Sequence, residues 1–272
     1  MNRENALTLV DVLVVIGVLA LLVAIVIPAL QRHRLPVRAN RVVCLNNLRQ
    51  LTLAWIIYAD ENDDRIVNGA AGIGRPNEPA WVPRDWDPNY MLGKQLSDRQ
   101  QEGALKLGAL WTYCKNLKLY RCPSGIQGEM RTYSIVDSMN GYPQPDNPRG
   151  RGPKEAIKTT IIKKIKQISN PYQRPVFIDV GWAPPGSYAV YYDKEKWWDP
   201  PPVRHRDGTN ISFADGHVEY WKWKGKETIK LGRTASRTRS PSNVTPQSTE
   251  GKEDLHKLQK AAWGQLGYEP KP

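Results

Sequence analysis

Leu7-Thr8-Leu9-Val10-Asp11 opens the stretch that decides the reading of this chain, because no polar side chain follows from Val12 to Leu30. Those nineteen apolar residues, wound as a helix at about 1.5 Å each, would span about 28 Å, close to the ~30 Å hydrocarbon core of a bilayer. Six residues, Met1 to Ala6, precede the run. A secretory signal would have a shorter apolar core with its small residue behind it, whereas Ala6 stands in front. The spacing predicts a membrane helix over residues 7–30. Gly17 and Pro28 are breakers in water, but membrane helices tolerate both where neighbouring helices satisfy the freed backbone groups. Asp11 is costly in hydrocarbon and so requires a partner; the alternative is solvation at the interface.

Beyond the run, Arg32, Arg34, Arg38 and Arg41 crowd one side, while Arg3 and Glu4 cancel on the other. The positive-inside rule would place that arginine cluster in the cytoplasm. A helix resumes after Pro36. Cys44, Leu48, Leu51, Trp55 and Tyr58 are spaced 4, 3, 4 and 3, which is the apolar stripe of an amphipathic helix and predicts the face on which a sheet packs. Asp60-Glu61-Asn62-Asp63-Asp64 ends this helix over residues 31–60. Its Asp-x-Asn-x-Asp start has Arg65 and Ala71 where a calcium loop needs Gly and Glu, so it reads as a solvated acidic turn. Residues 68–103, rich in Pro, Gly, Trp and Asp, predict a long surface excursion. Strands are expected at 132–135, 161–168 and 175–179. No Ser-His-Asp set, phosphate loop or paired metal motif stands out in this region.

The second informative stretch is Thr209-Asn210-Ile211-Ser212-Phe213-Ala214-Asp215-Gly216-His217-Val218-Glu219-Tyr220-Trp221, with His205 nine residues before the Asp-Gly pair. Asp-Gly between alternating segments predicts a two-residue type I′ hairpin. Ala214 would then face His217, Phe213 face Val218, and Ile211 face Tyr220. Ile211, Phe213, Val218 and Tyr220 would share one side of the hairpin, and Asn210, Ser212, His217 and Glu219 the other.

Both ends carry a resemblance. Ala6 followed by Leu7-Thr8-Leu9-Val10-Asp11 resembles the class III leader of prepilin-like proteins, with Ala for Gly, Leu for Phe and Asp for Glu. The hairpin resembles the prepilin-processing-associated His-x9-Asp-Gly domain, whose members join it to a Cys-x-x-Asn-Leu-type helix and an Arg-Cys-Pro segment. Here those are Cys44-Leu45-Asn46-Asn47-Leu48 and Arg121-Cys122-Pro123, so the resemblance covers residues 1 to about 223. It implies that a prepilin peptidase cuts between Ala6 and Leu7. It also implies that Asp11 pairs with the new amine of a neighbouring subunit during assembly, a buried charge serving register. The implied fold is α+β and pilin-like, a long N-terminal helix with its first half transmembrane, packed on a C-terminal antiparallel β-sheet. The implied function is that of a pseudopilin-like subunit of a type II secretion or type IV pilus-like filament, not an enzyme. Its partners would be other pilin-like subunits, an inner-membrane assembly platform and the lipid bilayer. The implied location is the bacterial inner membrane, single-pass, with residues 61–231 a periplasmic domain; this takes precedence over the charge rule.

For His205, Asp215 and Gly216 the expected role is structural, holding the hairpin. Calcium at Asp207 and Asp215 is the second reading and catalysis the third; no catalytic residue, metal or cofactor is assigned. The formal charge of +12 and pI near 9.6, with basic clusters at 154–166 and 222–239, imply affinity for anionic surfaces. A minor pilin binding DNA or another anionic polymer such as a glycan is therefore one alternative, and a membrane-anchored periplasmic enzyme another. Cys44, Cys114 and Cys122 are an odd set, compatible outside the cytoplasm with one bridge of open pairing and one free thiol. Residues 232–272 read as a basic disordered tail, with a short helix carrying Leu255, Leu258 and Ala262.

Overall fold

The computed structural model describes residues 12–22, 35–141, 161–238 and 243–270. Among the described residues no helix is long and apolar enough to cross a membrane, which corrects the expected pilin-like arrangement with its long transmembrane helix and leaves a single-pass inner-membrane placement unsupported. Residues 12–22 are helical. The long helix α1 (Leu35–Glu61) is one-sided, with Arg41 and Arg49 between its apolar positions, so it suits a protein surface on one face only. Ala6, Leu7 and Asp11 lie outside the described residues.

From residue 40 onward the chain forms one compact unit. Four strands, β1 (Tyr133–Ile135), β2 (Pro175–Asp179), β3 (Gly208–Phe213) and β4 (Val218–Lys222), lie in that spatial order and pair antiparallel throughout. Helix α1 covers one face. Its stripe Cys44, Leu48, Leu51, Trp55 and Tyr58 is buried as the spacing predicts, against Tyr133, Ile135 and Phe177. Thr52 donates to Ser212 Oγ at 2.6 Å, and the Arg41 guanidinium lies 4.6 Å from the centre of the Tyr220 ring. The opposite face is also covered. Ile178, Ile211, Phe213 and Trp221 pack there with Leu255, Leu258 and Ala262 of a C-terminal helix. Side chains alternate along a strand, so two buried faces make β3 buried from end to end. The result is three layers where two were expected.

The C-terminal segment explains the difference. Helix α4 (Lys226–Thr238) runs through the first part of the expected disordered tail, and α5 (Thr249–Trp263) supplies the third layer. Ser248 caps α5 by accepting from the Gly251 N–H, and Glu227 of α4 accepts from the N–H groups of Gln247 and Ser248, tying the two helices together. Two other expectations also change. Residues 161–168 form a 3-10 turn at Ile165–Gln167 with isolated bridges, not a strand. The 68–103 stretch is irregular but not superficial: Ala70, Ala71, Trp81, Val82 and Asp85 are buried, and α2 (Asp98–Lys106) begins within it, with α3 (Trp111–Cys114) following.

The hairpin forms one residue out of the expected register. Ser212 faces Val218 and Asn210 faces Tyr220, while the Phe213 N–H bonds to His217 O, leaving a three-residue loop of Ala214, Asp215 and Gly216. Only Gly216 in that loop has positive φ, at +93°, as in a type I turn closed by a left-handed residue. The one-residue slip sends Asn210, Ser212, Val218 and Tyr220 toward α1 and Ile211, Phe213 and Trp221 toward α5. Both faces are buried, so alternation alone could not fix the register. A Cβ at Gly216 would meet nothing closer than Ile56 Cδ1 at 3.8 Å. Gly216→Ala is therefore expected to cost only backbone strain, about 1 kcal/mol, in urea unfolding. Gly216→Asn should cost less, because Asn tolerates left-handed φ. Equal stability of the alanine variant and the wild type would refute a strained turn.

Candidate metal centre

Four separate elements bring Cys44, Cys122, Asp179 and His205 together. Cys44 lies on the buried stripe of α1. Cys122 starts a tight turn, Cys122-Pro123-Ser124-Gly125, in which the Gly125 N–H bonds to Cys122 O at 2.8 Å and the Ser124 N–H points at Cys122 Sγ at 3.4 Å. Asp179 ends β2. His205 precedes β3 in a turn whose central residues, Arg206 and Asp207, both take left-handed φ (61° and 62°). The four residues are at most 1 % exposed.

The Cys44 thiol donates to Asp179 Oδ2 at 3.3 Å; His205 Nε2 lies 3.0 Å from the same oxygen and 3.3 Å from Cys122 Sγ. Burial raises the Cys44 thiol well above its usual range, with Cys122 and the Asp179 charge adding to it. Cys122 is lowered by its hydrogen bond with Cys44, against burial and with help from His205. Burial acts to lower His205, but its bonds to Asp179 and Cys122 and their charges carry it up to about 9.

A cysteine, a histidine and an aspartate in contact invite comparison with a catalytic relay. Such a relay needs the nucleophile on one ring nitrogen and the carboxylate on the other. Here both contacts fall on Nε2, and Nδ1 is buried without a partner. The cluster is also closed to substrate. What the four donors can do is surround one ion.

Of the candidates read from the sequence, only His205 joins this cluster. Asp215 sits at the hairpin tip and accepts from the His217 N–H at 3.1 Å and Nδ1 at 2.6 Å, which holds its carboxyl below the usual range against the effect of burial. Asp207 pairs with Arg233 at 2.6 Å. The two calcium candidates thus turn to different partners. Gly216 shapes the tip alone. Cys44, Cys122 and Asp179 are the members that reasoning from the sequence missed. The usable signal was the pair of cysteine motifs, Cys44-Leu45-Asn46-Asn47-Leu48 and Arg121-Cys122-Pro123. All three cysteines are free thiols; Cys114 stands apart, donating to Leu110 O at 3.2 Å.

None of the protein families, characterised proteins or solved structures compared with the chain matches it. Fold and site together define it by class: a three-layer α+β protein whose helix and sheet meet at a closed cluster of two cysteines, an aspartate and a histidine.

Proposed function

We propose that the chain is a structural subunit of a filament of the type II secretion or type IV pilus-like kind, joined to other copies or related subunits through its apolar N-terminal segment. The observation that carries this reading is the helical stretch 12–22. Nine large aliphatic side chains from Val12 to Leu22 are each 45–64 % exposed, an apolar surface that a protein does not leave to water. Helix-to-helix packing of like segments buries such a surface. Burial of the Cys122, His205 and Asp179 side chains supports a scaffold rather than an enzyme, since a nucleophile there would meet no substrate.

The test is self-association of the full chain in mild detergent, followed by sedimentation. The wild type is expected to form multimers, and Leu19→Glu to shift at least tenfold toward monomer while the thermal unfolding of the folded body stays unchanged. A monomeric wild type, or a Leu19→Glu protein that associates as well, would overturn the proposal.

A further inference from the structure

We infer that Cys44, Cys122, Asp179 and His205 hold one zinc ion in a closed tetrahedral site that fastens α1 to the sheet. The inference goes beyond the filament reading and does not depend on it.

Geometry carries it. A tetrahedral zinc with bonds of about 2.3 Å to sulfur and about 2.0–2.1 Å to nitrogen or oxygen sets donor-to-donor edges near 3.5 Å for sulfur to oxygen or nitrogen, and about 3.3 Å for nitrogen to oxygen. The corresponding edges are 3.3 Å for Cys44 Sγ to Asp179 Oδ2, 3.3 Å for Cys122 Sγ to His205 Nε2 and 3.0 Å for His205 Nε2 to Asp179 Oδ2. All four donor atoms lie within 4.8 Å of one another. Four donors from four elements already stand close to the corners that zinc requires, within a few tenths of an ångström on each measured edge.

Donor chemistry selects the ion. Two thiolates and an imidazole are soft to borderline ligands that suit zinc, whereas calcium takes six to eight oxygens. The set is complete at four and buried, the mark of a structural rather than a catalytic site, which would keep an open position for water. The surroundings fit a charged centre. The Ser124 N–H points at Cys122 Sγ, and the buried Tyr133 hydroxyl lies beside Cys44, where a metal-bound thiolate would accept from it. Binding releases the thiol protons of the cysteines and any proton on His205, so that zinc replaces protons at the same donors.

The full chain, purified under reducing conditions, is expected to contain one zinc per molecule by elemental analysis. Chelation should lower its melting temperature, and added zinc, but not calcium, should restore it. Cobalt in place of zinc should give the visible bands of a tetrahedral ion and a sulfur charge-transfer band. Cys122→Ser should lose about half of that charge-transfer band, and Cys114→Ser should keep it all. The cobalt spectrum and the zinc content of the wild type need no variant, so a Cys122→Ser protein that fails to fold does not blunt the test. Substoichiometric zinc after reconstitution of the folded, reduced wild type would overturn the inference. So would a Cys44–Cys122 disulfide in protein purified without reductant whose reduction leaves metal binding absent, or a cobalt spectrum of octahedral form.

Discussion

Asp85→Ala is expected to lower the stability of the folded body by about 3–5 kcal/mol, because it leaves a buried guanidinium without its counter-charge. Arg131 and Asp85 are 0 % and 1 % exposed at their side chains. Arg131 donates to Asp85 twice, from Nε at 2.7 Å and from a terminal nitrogen at 3.0 Å, and donates further to Tyr133 O at 2.9 Å and Pro184 O at 2.7 Å. The pair anchors the 68–103 stretch beside the first strand. A second variant separates charge from packing: Asp85→Ala combined with Arg131→Met removes both charges and should recover part of the loss, since apolar side chains can stand in for a buried ion pair. Urea unfolding measures both. A loss under about 1 kcal/mol for Asp85→Ala would mean that water reaches Arg131 and that the pair is not buried in solution.

Trp81→Ala should cost a similar amount, about 3–5 kcal/mol, for a different reason. The ring is fully buried, stacked on Tyr120 at 6.2 Å between centroids and edge-on to Phe177 at 5.3 Å. It roofs the core between α1 and the sheet, and its removal opens a cavity that the irregular backbone around it cannot close. Because the Arg131 guanidinium lies 5.5 Å from the Trp81 ring, the losses from Trp81→Ala and Asp85→Ala should not simply add. Purely additive losses, or a Trp81→Ala cost below about 1.5 kcal/mol, would show that this stretch is a detachable flap.

The legible parts of the chain were those in which one physical signal acts alone. The stripe from Cys44 to Tyr58 could be read because α1 buries one face only, and Leu255, Leu258 and Ala262 because α5 does the same. The hairpin was legible in place but not in register, since β3 is buried on both faces and its period-2 pattern carries no direction. Helix α2 had a signal that went unused: Ser97-Asp98-Arg99-Gln100 is a capping box, realised as reciprocal bonds between Ser97 and Gln100. The tail was misread because its Ser, Thr and Arg content masks the apolar face of α4. The cluster was least legible. Its four residues acquire meaning only when the fold brings them together, and Cys44 by spacing alone looks like any other buried position.

The cluster also constrains the order of events as the chain is made. Cys44 and Asp179 are 135 positions apart in sequence, Cys122 and His205 83, and Asp179 and His205 26. Closing loops of that length costs entropy before any contact returns it, so the four residues meet only once helix and sheet have found each other. At about 5–20 residues per second of synthesis, the first cysteine waits many seconds for the histidine that completes the set. The centre therefore cannot nucleate folding. A chain in which it has closed is one in which α1, the Cys122 turn, the end of β2 and the turn before β3 have reached their places.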